Sequence, residues 1–167
     1  MGLAVAKPFN KLVRMAVAGR GMTSHTNEAV LRRFYDEVFS KGKLSVVDEL
    51  ADRNFVDHEP PLPGFKSGIE GIKQLINAMR TGFPDLQVAV NEVISHGDKV
   101  VVRATFSGTH KGAFMNIPPT GKRVAFEGID IVRFSGGKAA EHWGVTDNLG
   151  LLTQLGAIPP PGQSPKK

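Results

Sequence analysis

Apolar positions fall into two regimes along this chain. Val30, Leu31, Phe34, Tyr35, Val38 and Phe39 recur at helical spacing and stop at Gly42, which predicts an amphipathic helix from residue 27 onward. A shorter helix is expected from Ser45, with Val46, Val47 and Leu50 on its inner side and Asp48 favouring its N-terminal dipole. Phe55-Val56-Asp57-His58 reads as a brief strand ended by Pro60-Pro61. Ser67-Gly68-Ile69-Glu70 has the capping-box spacing, and Ile72, Leu75, Ile76 and Met79 follow on one face until Gly82 and Pro84 end the helix. From there the period changes to two. Four strands are predicted at about 86–96, 98–110, 122–134 and 138–147, with hairpin turns at His96-Gly97-Asp98 and Ser135-Gly136-Gly137. A last helix carries Leu149, Leu151, Leu152 and Leu155 between Asp147 and Gly156. Helices first and antiparallel strands afterwards imply an α+β domain. A curved sheet wraps the N-terminal helices into a cone with an internal pocket.

Charge changes the picture less than the total suggests. The 167 residues carry a formal +5, but Lys7, Lys11, Arg14, Arg20, Lys166 and Lys167 lie in the two ends. Residues 27–165 hold 15 bases against 16 acids, so the body has no cationic excess for a phosphate backbone, and a nucleic-acid partner is rejected. No apolar run is long enough for a bilayer helix, and no membrane partner is expected. The absence of Cys excludes disulfides, thiolate metal sites and cysteine nucleophiles. Residues 1–26 form a separate extension, basic and free of acids. Either they begin with a transit peptide over residues 1–21, which would send the protein to an organelle matrix, or Met22 is the start and the protein is cytoplasmic. The domain is expected over 27–158, and the proline-rich 159–167 reads as a disordered tail.

Strand alternation then sorts the ionisable groups. Val100, Val102, Ala104, Phe106 and His110 share one face; so do Val124, Phe126, Asp130, Val132 and Phe134, and so do Ala140, His142 and Gly144. Apolar faces with one ionisable member each are what a pocket wall needs. Structural roles stay open for all of them. Asp130 could pair with Arg133 or Arg103, His110 could satisfy its own loop, and His142 could be a core histidine bonded to a carbonyl. Asp147 is placed to cap the last helix, and Trp143 alternates away from His142 toward packing. His58, His110 and His142 could together hold zinc, but they sit on separate strands without ligand spacing, and no metal or other cofactor is expected.

Six segments occur in register: Phe55-Val56-Asp57-His58, Phe83-Pro84-Asp85-Leu86, Gly108-Thr109-His110-Lys111-Gly112, Ile117-Pro118-Pro119-Thr120-Gly121-Lys122, Glu141-His142-Trp143 and Gln154-Leu155-Gly156. Through them residues 27 to 158 resemble the SnoaL-like polyketide cyclases, within the superfamily folded like nuclear transport factor 2. The resemblance implies a cone-shaped α+β barrel, a homodimer joined through its sheet, and cofactor-free acid–base chemistry that closes a ring by intramolecular aldol condensation. It also implies an acid–base aspartate two residues after the last-strand histidine, where this chain has Gly144. The expected catalyst is therefore His142 as base, Asp130 as its orienter, and His110 and His58 as donors to developing charge. A small hydrophobic carbonyl compound would lie against Phe34, Phe106, Phe126, Trp143 and Asp147. A non-catalytic module of the same shape that only binds such a molecule is the alternative, and Gly144 favours it.

Overall fold

A computed structural model of the chain describes residues 26–160 and 162; the basic extension before residue 26 and the rest of the proline-rich tail lie outside the described residues. Helix α1 is α-helical over 26–33 and continues as a π-helix over Phe34–Ser40. It is followed by α2 (Ser45–Leu50), β1 (Ala51–Asp57), α3 (Gly68–Gly82), β2 (Gln87–His96), β3 (Lys99–Thr109), β4 (Arg123–Ser135), β5 (Lys138–Thr146) and α4 (Asn148–Leu155). The architecture is α+β, with N-terminal helices and one sheet in the order β1-β5-β4-β3-β2. The four long strands are antiparallel neighbours, as their turn residues require. The fifth differs from the expected wholly antiparallel sheet. β1 runs parallel to β5, which is possible because the chain crosses over through α3 before β5 is made, and it sets Asp57 beside His142.

Inner-face side chains of β3 and β4 pack against α1, α3 and α4. Val100, Val102, Ala104, Phe106, Val124, Phe126, Val132 and Phe134 are all buried. A second cluster gathers Val38, Val46, Val47, Leu50, Phe55 and Ile76 where α2 meets β1 and α3. Arg80 of α3 ties the helices together by donating to the Phe39 and Ser40 carbonyls at 3.0 and 2.7 Å, which satisfies the exposed C-terminal end of α1.

Three local expectations need correction. Ser67 sits at the N-cap of α3 with extended backbone, but its side chain makes no capping bond, and Glu70 pairs with Lys73 at 3.2 Å instead. The turn ahead of α3 is held by backbone approach: a Cβ on Gly71 would lie 2.0 Å from the Lys66 carbonyl oxygen. In β5, Arg133 pairs with Glu141 but Phe134 pairs with Ala139, so Ala140 is the extra residue of a bulge. The bulge turns Ala139 rather than Ala140 to the inside, along with His142. The π-helix was also not foreseen. Its i→i+5 bonding, seen in Lys41 N to Asp36 O at 3.1 Å, widens the helix and stacks Tyr35 on Phe39, rings 5.8 Å apart.

Candidate active site

The inner face of the sheet and the helices enclose a cavity of about 430 Å³, apolar over most of its wall and charged at one end. Phe34, Phe106 and Phe126 line it, as the alternation of their elements dictates. Phe106 and Phe126 come from paired positions on β3 and β4 and stack 5.4 Å apart.

The charged end is built on His142. Its Nδ1 lies 2.9 Å from Asp57 Oδ1 and its Nε2 3.2 Å from Asp130 Oδ1. Asp130 Oδ2 accepts a short bond from the Tyr35 hydroxyl. β1 brings Asp57, β4 brings Asp130, and the π segment of α1 brings Tyr35. Burial opposes a charge on the ring, but the hydrogen bonds it donates to Asp130 and Asp57 outweigh it, and the His142 pKa is pushed up to about 10. Both ring nitrogens are thus donors, and the residue is an imidazolium at neutral pH. This corrects the expected role of His142: a ring with no free lone pair is not a base. Burial and the adjoining Asp130 push the Tyr35 phenol far above its ordinary value, so it stays protonated and donates.

Glu59 completes the cluster and was missed from the sequence. It lines the cavity, two residues past Asp57 and four past the buried Phe55 on the same parity. Burial raises its pKa, the positive His142 opposes that, and Asp57 and Asp130 add to it. Asp57, Glu59 and His142 each offer an atom within 4.8 Å of the others, a span one cation could bridge. Both ring nitrogens of His142 already face carboxylate oxygens, so neither turns a free lone pair toward such an ion.

Gly144 faces Asp130 across the β4–β5 ladder. A Cβ there would stand 2.7 Å from Asp130 Oδ1 and 3.0 Å from His142 Cε1 and Nε2. The bare backbone at 144 is what lets the neighbouring strand supply a carboxylate to His142.

Four expected site residues lie elsewhere. His58 has the opposite parity to Asp57 and emerges on the outer face, where it stacks on Trp143 (4.4 Å, 5° between planes) and meets Glu141 Oε2 at 2.9 Å. Trp143 is outward for the same reason, with Lys99 Nζ 5.2 Å from its ring centre. His110 keeps the inward parity of β3 but lies past the cavity, fully buried beside Phe83. Thr120 N donates to its Nδ1 at 3.2 Å, and desolvation lowers its pKa, so it is a neutral core residue. Asp147 is exposed and accepts from Gly150 N at 2.8 Å, which makes it the cap of α4. The expected convergence of three imidazoles is therefore replaced by one imidazolium between carboxylates.

The sequence profile of the SnoaL-like polyketide cyclases matches residues 29–155, most of the chain. This protein belongs to that family. Among curated relatives of this SnoaL-like chain, nogalonic acid methyl ester cyclase of Streptomyces nogalater is 28% identical over 120 residues, 71% of this chain and 89% of the relative. Aklanonic acid methyl ester cyclase DnrD of Streptomyces peucetius is 26% identical over 126 residues, covering 72% and 84% of the two chains. Solved structures agree in fold. TsrD from Streptomyces laurentii superposes with a TM-score of 0.73 at 30% identity, covering 80% of this chain and 97% of its own. A proposed polyketide cyclase from Bacillus cereus gives 0.70 at 32%, covering 80% and 82%. The SnoaL-like chain thus has the nuclear-transport-factor-2-like fold, and none of its described helices is long and apolar enough to cross a membrane.

Proposed function

We propose that this protein is a cyclase-type enzyme that acts by general acid–base catalysis on a small, largely apolar carbonyl compound. The observation that carries the reading is His142, held as an imidazolium between Asp57 and Asp130 at the charged end of an otherwise apolar cavity. The substrate bears a carbon flanked by two carbonyls, and a carboxylate of the cluster takes its proton. The C–H electron pair becomes an enolate whose oxygen lies in the field of His142. Its carbon attacks a further carbonyl of the same molecule, beyond the two that flank it, forming the ring C–C bond. The resulting alkoxide takes a proton from the cluster, so atoms and charge balance without a co-reactant. The aromatic wall folds the chain so that the two carbons meet.

A carrier that only binds would gain nothing from burying three carboxylates and an imidazolium, since such charges are costly away from water unless used or paired. Nogalonic acid methyl ester, the compound named for the Streptomyces nogalater relative, is a suitable probe. Turnover by the full chain is expected to fall on the order of 100-fold in His142→Gln, with far-UV circular dichroism unchanged. Wild-type turnover in that variant removes His142 from the mechanism, and retention without product by the wild-type chain favours the carrier.

The partner reading concerns the outer face of the sheet. Ile94, Ile129 and Val145 are exposed there, Val145 by 74%, between charged rows. A second copy covering this face is the proposed partner. Light scattering is expected to give a dimer that Val145→Glu with Ile129→Glu converts to monomer; an unchanged mass would sink it.

A further inference from the structure

Proton abstraction needs an acceptor, and the three carboxylates at the cavity's charged end are not equivalent. Asp57 Oδ1 accepts from His142 Nδ1 at 2.9 Å and from the Glu59 backbone N–H at 3.1 Å. Asp130 spends one oxygen on His142 Nε2 and the other on the Tyr35 hydroxyl. Hydrogen bonds of this kind occupy lone pairs that would otherwise be open to a proton. Glu59 is different. Among the described residues its carboxylate accepts no hydrogen bond, it lines the cavity, and it lies within 4.8 Å of the facing atoms of Asp57 and His142. Its backbone is fixed from both sides: its N–H is held by Asp57, and Pro60 restricts residue 59 to extended conformations.

We propose that Glu59 is the general base, the one carboxylate of the three that accepts no hydrogen bond among the described residues, while Asp57, Asp130 and Tyr35 hold His142 in place. This rests on the acid–base reading above and assigns its acceptor. Glu59 takes the proton from the carbon between the carbonyls, and the C–H pair moves into the enolate. When the new C–C bond pushes the π pair of the attacked carbonyl onto oxygen, the Glu59 carboxylic acid returns the proton there. The step is an isomerisation that consumes no oxidant or reductant. Partial burial raises the Glu59 pKa against the opposing pull of the facing His142, which makes it a stronger base than an exposed carboxylate. The ligand class follows. With three acids and one imidazolium at that end, the reacting part of the substrate is uncharged, a β-keto ester or β-diketone, and a free carboxylate there would be repelled.

Ethyl 2-methylacetoacetate, a small neutral β-keto ester, tests the assignment through loss of its C2 proton signal in deuterium oxide, followed by NMR with the full chain. The wild-type protein is expected to accelerate exchange above buffer. Glu59→Gln is expected to lose on the order of 100-fold, and Glu59→Asp, which keeps the carboxylate but sets it back, to retain part of the rate. The acid limb of the pH–rate profile should move in Glu59→Asp and vanish in Glu59→Gln. Exchange at the wild-type rate in folded Glu59→Gln overturns the assignment and leaves the acid–base reading standing on another carboxylate. A raised half-saturation concentration with an unchanged saturating rate also overturns it, because the side chain would then only shape the site. No acceleration by the wild-type protein overturns the acid–base reading and Glu59 together.

Discussion

Two histidines separated by a single backbone hydrogen bond show how strand parity decides chemistry. His58 N donates to the His142 carbonyl at 2.9 Å, and each ring lies against a carboxylate. His142 points inward, 18% exposed, between Asp57 and Asp130, and its charge is held by groups that water screens poorly. His58 points outward, 39% exposed, and shares Glu141 with Arg133 in an open network on the sheet surface. Arg133 and His58 hold Glu141 below the usual carboxylate range, yet solvent makes such a pair worth little to stability. Residue type and partner type are the same in both places; the difference is the dielectric around them and the cavity beside one of them.

The sharpest way to break this comparison is to remove each ring. His142→Gln is expected to cut turnover on the order of 100-fold, whereas His58→Gln should leave it within about threefold, measured on the same substrate. Equal losses would erase the distinction. Next come the clamps. Asp130→Asn and Asp57→Asn each leave a half-buried imidazolium short of a counter-charge and should lower stability by about 2 kcal/mol in denaturant melts, while Glu141→Gln should leave the melt little changed. Gly144→Ala sharpens the geometry. Its methyl would press on Asp130 and His142, for about 1–3 kcal/mol, with activity lost in parallel.

The last test is pH dependence. A ring whose pKa rises on folding binds its proton more tightly in the folded state. Its stabilisation is full below the ordinary imidazole value of about 6.5 and drains away as pH climbs through about 10. Melting temperature should therefore fall across that alkaline window, and the slope should flatten in His142→Gln. A slope unaffected by that substitution would mean that His142 is not protonated in the folded protein.

Much of the fold was legible because its signals are local. Alternation in 98–110 and 122–134, with glycine turns between strands, gave the long hairpins, and Asp147 and Gly156 bracket α4 where spacing put them. The site was legible only where alternation ran without interruption. Asp130 and His142 could be placed inward by counting along β4 and β5, although the Ala140 bulge upset the count two residues earlier. Glu59 could have been found by the same counting from Phe55, had the strand not been read as ending at His58. The parallel pairing of β1 with β5 depends on contacts more than 80 residues apart, and the π-helical turn that aims Tyr35 has no residue signature in Phe34–Ser40. His110 shows the opposite failure: correct parity, but a position along the strand that only packing reveals.

The missing side chain at residue 144 links two positions in any lineage of substitutions. An acid cannot be introduced there while Asp130 keeps its present length, because both would claim the volume beside His142. Gly144→Asp and Asp130→Gly should each be harmful alone and tolerated as a pair, so a chain with the acid on β5 instead of β4 is separated from this one by a valley that single changes do not cross.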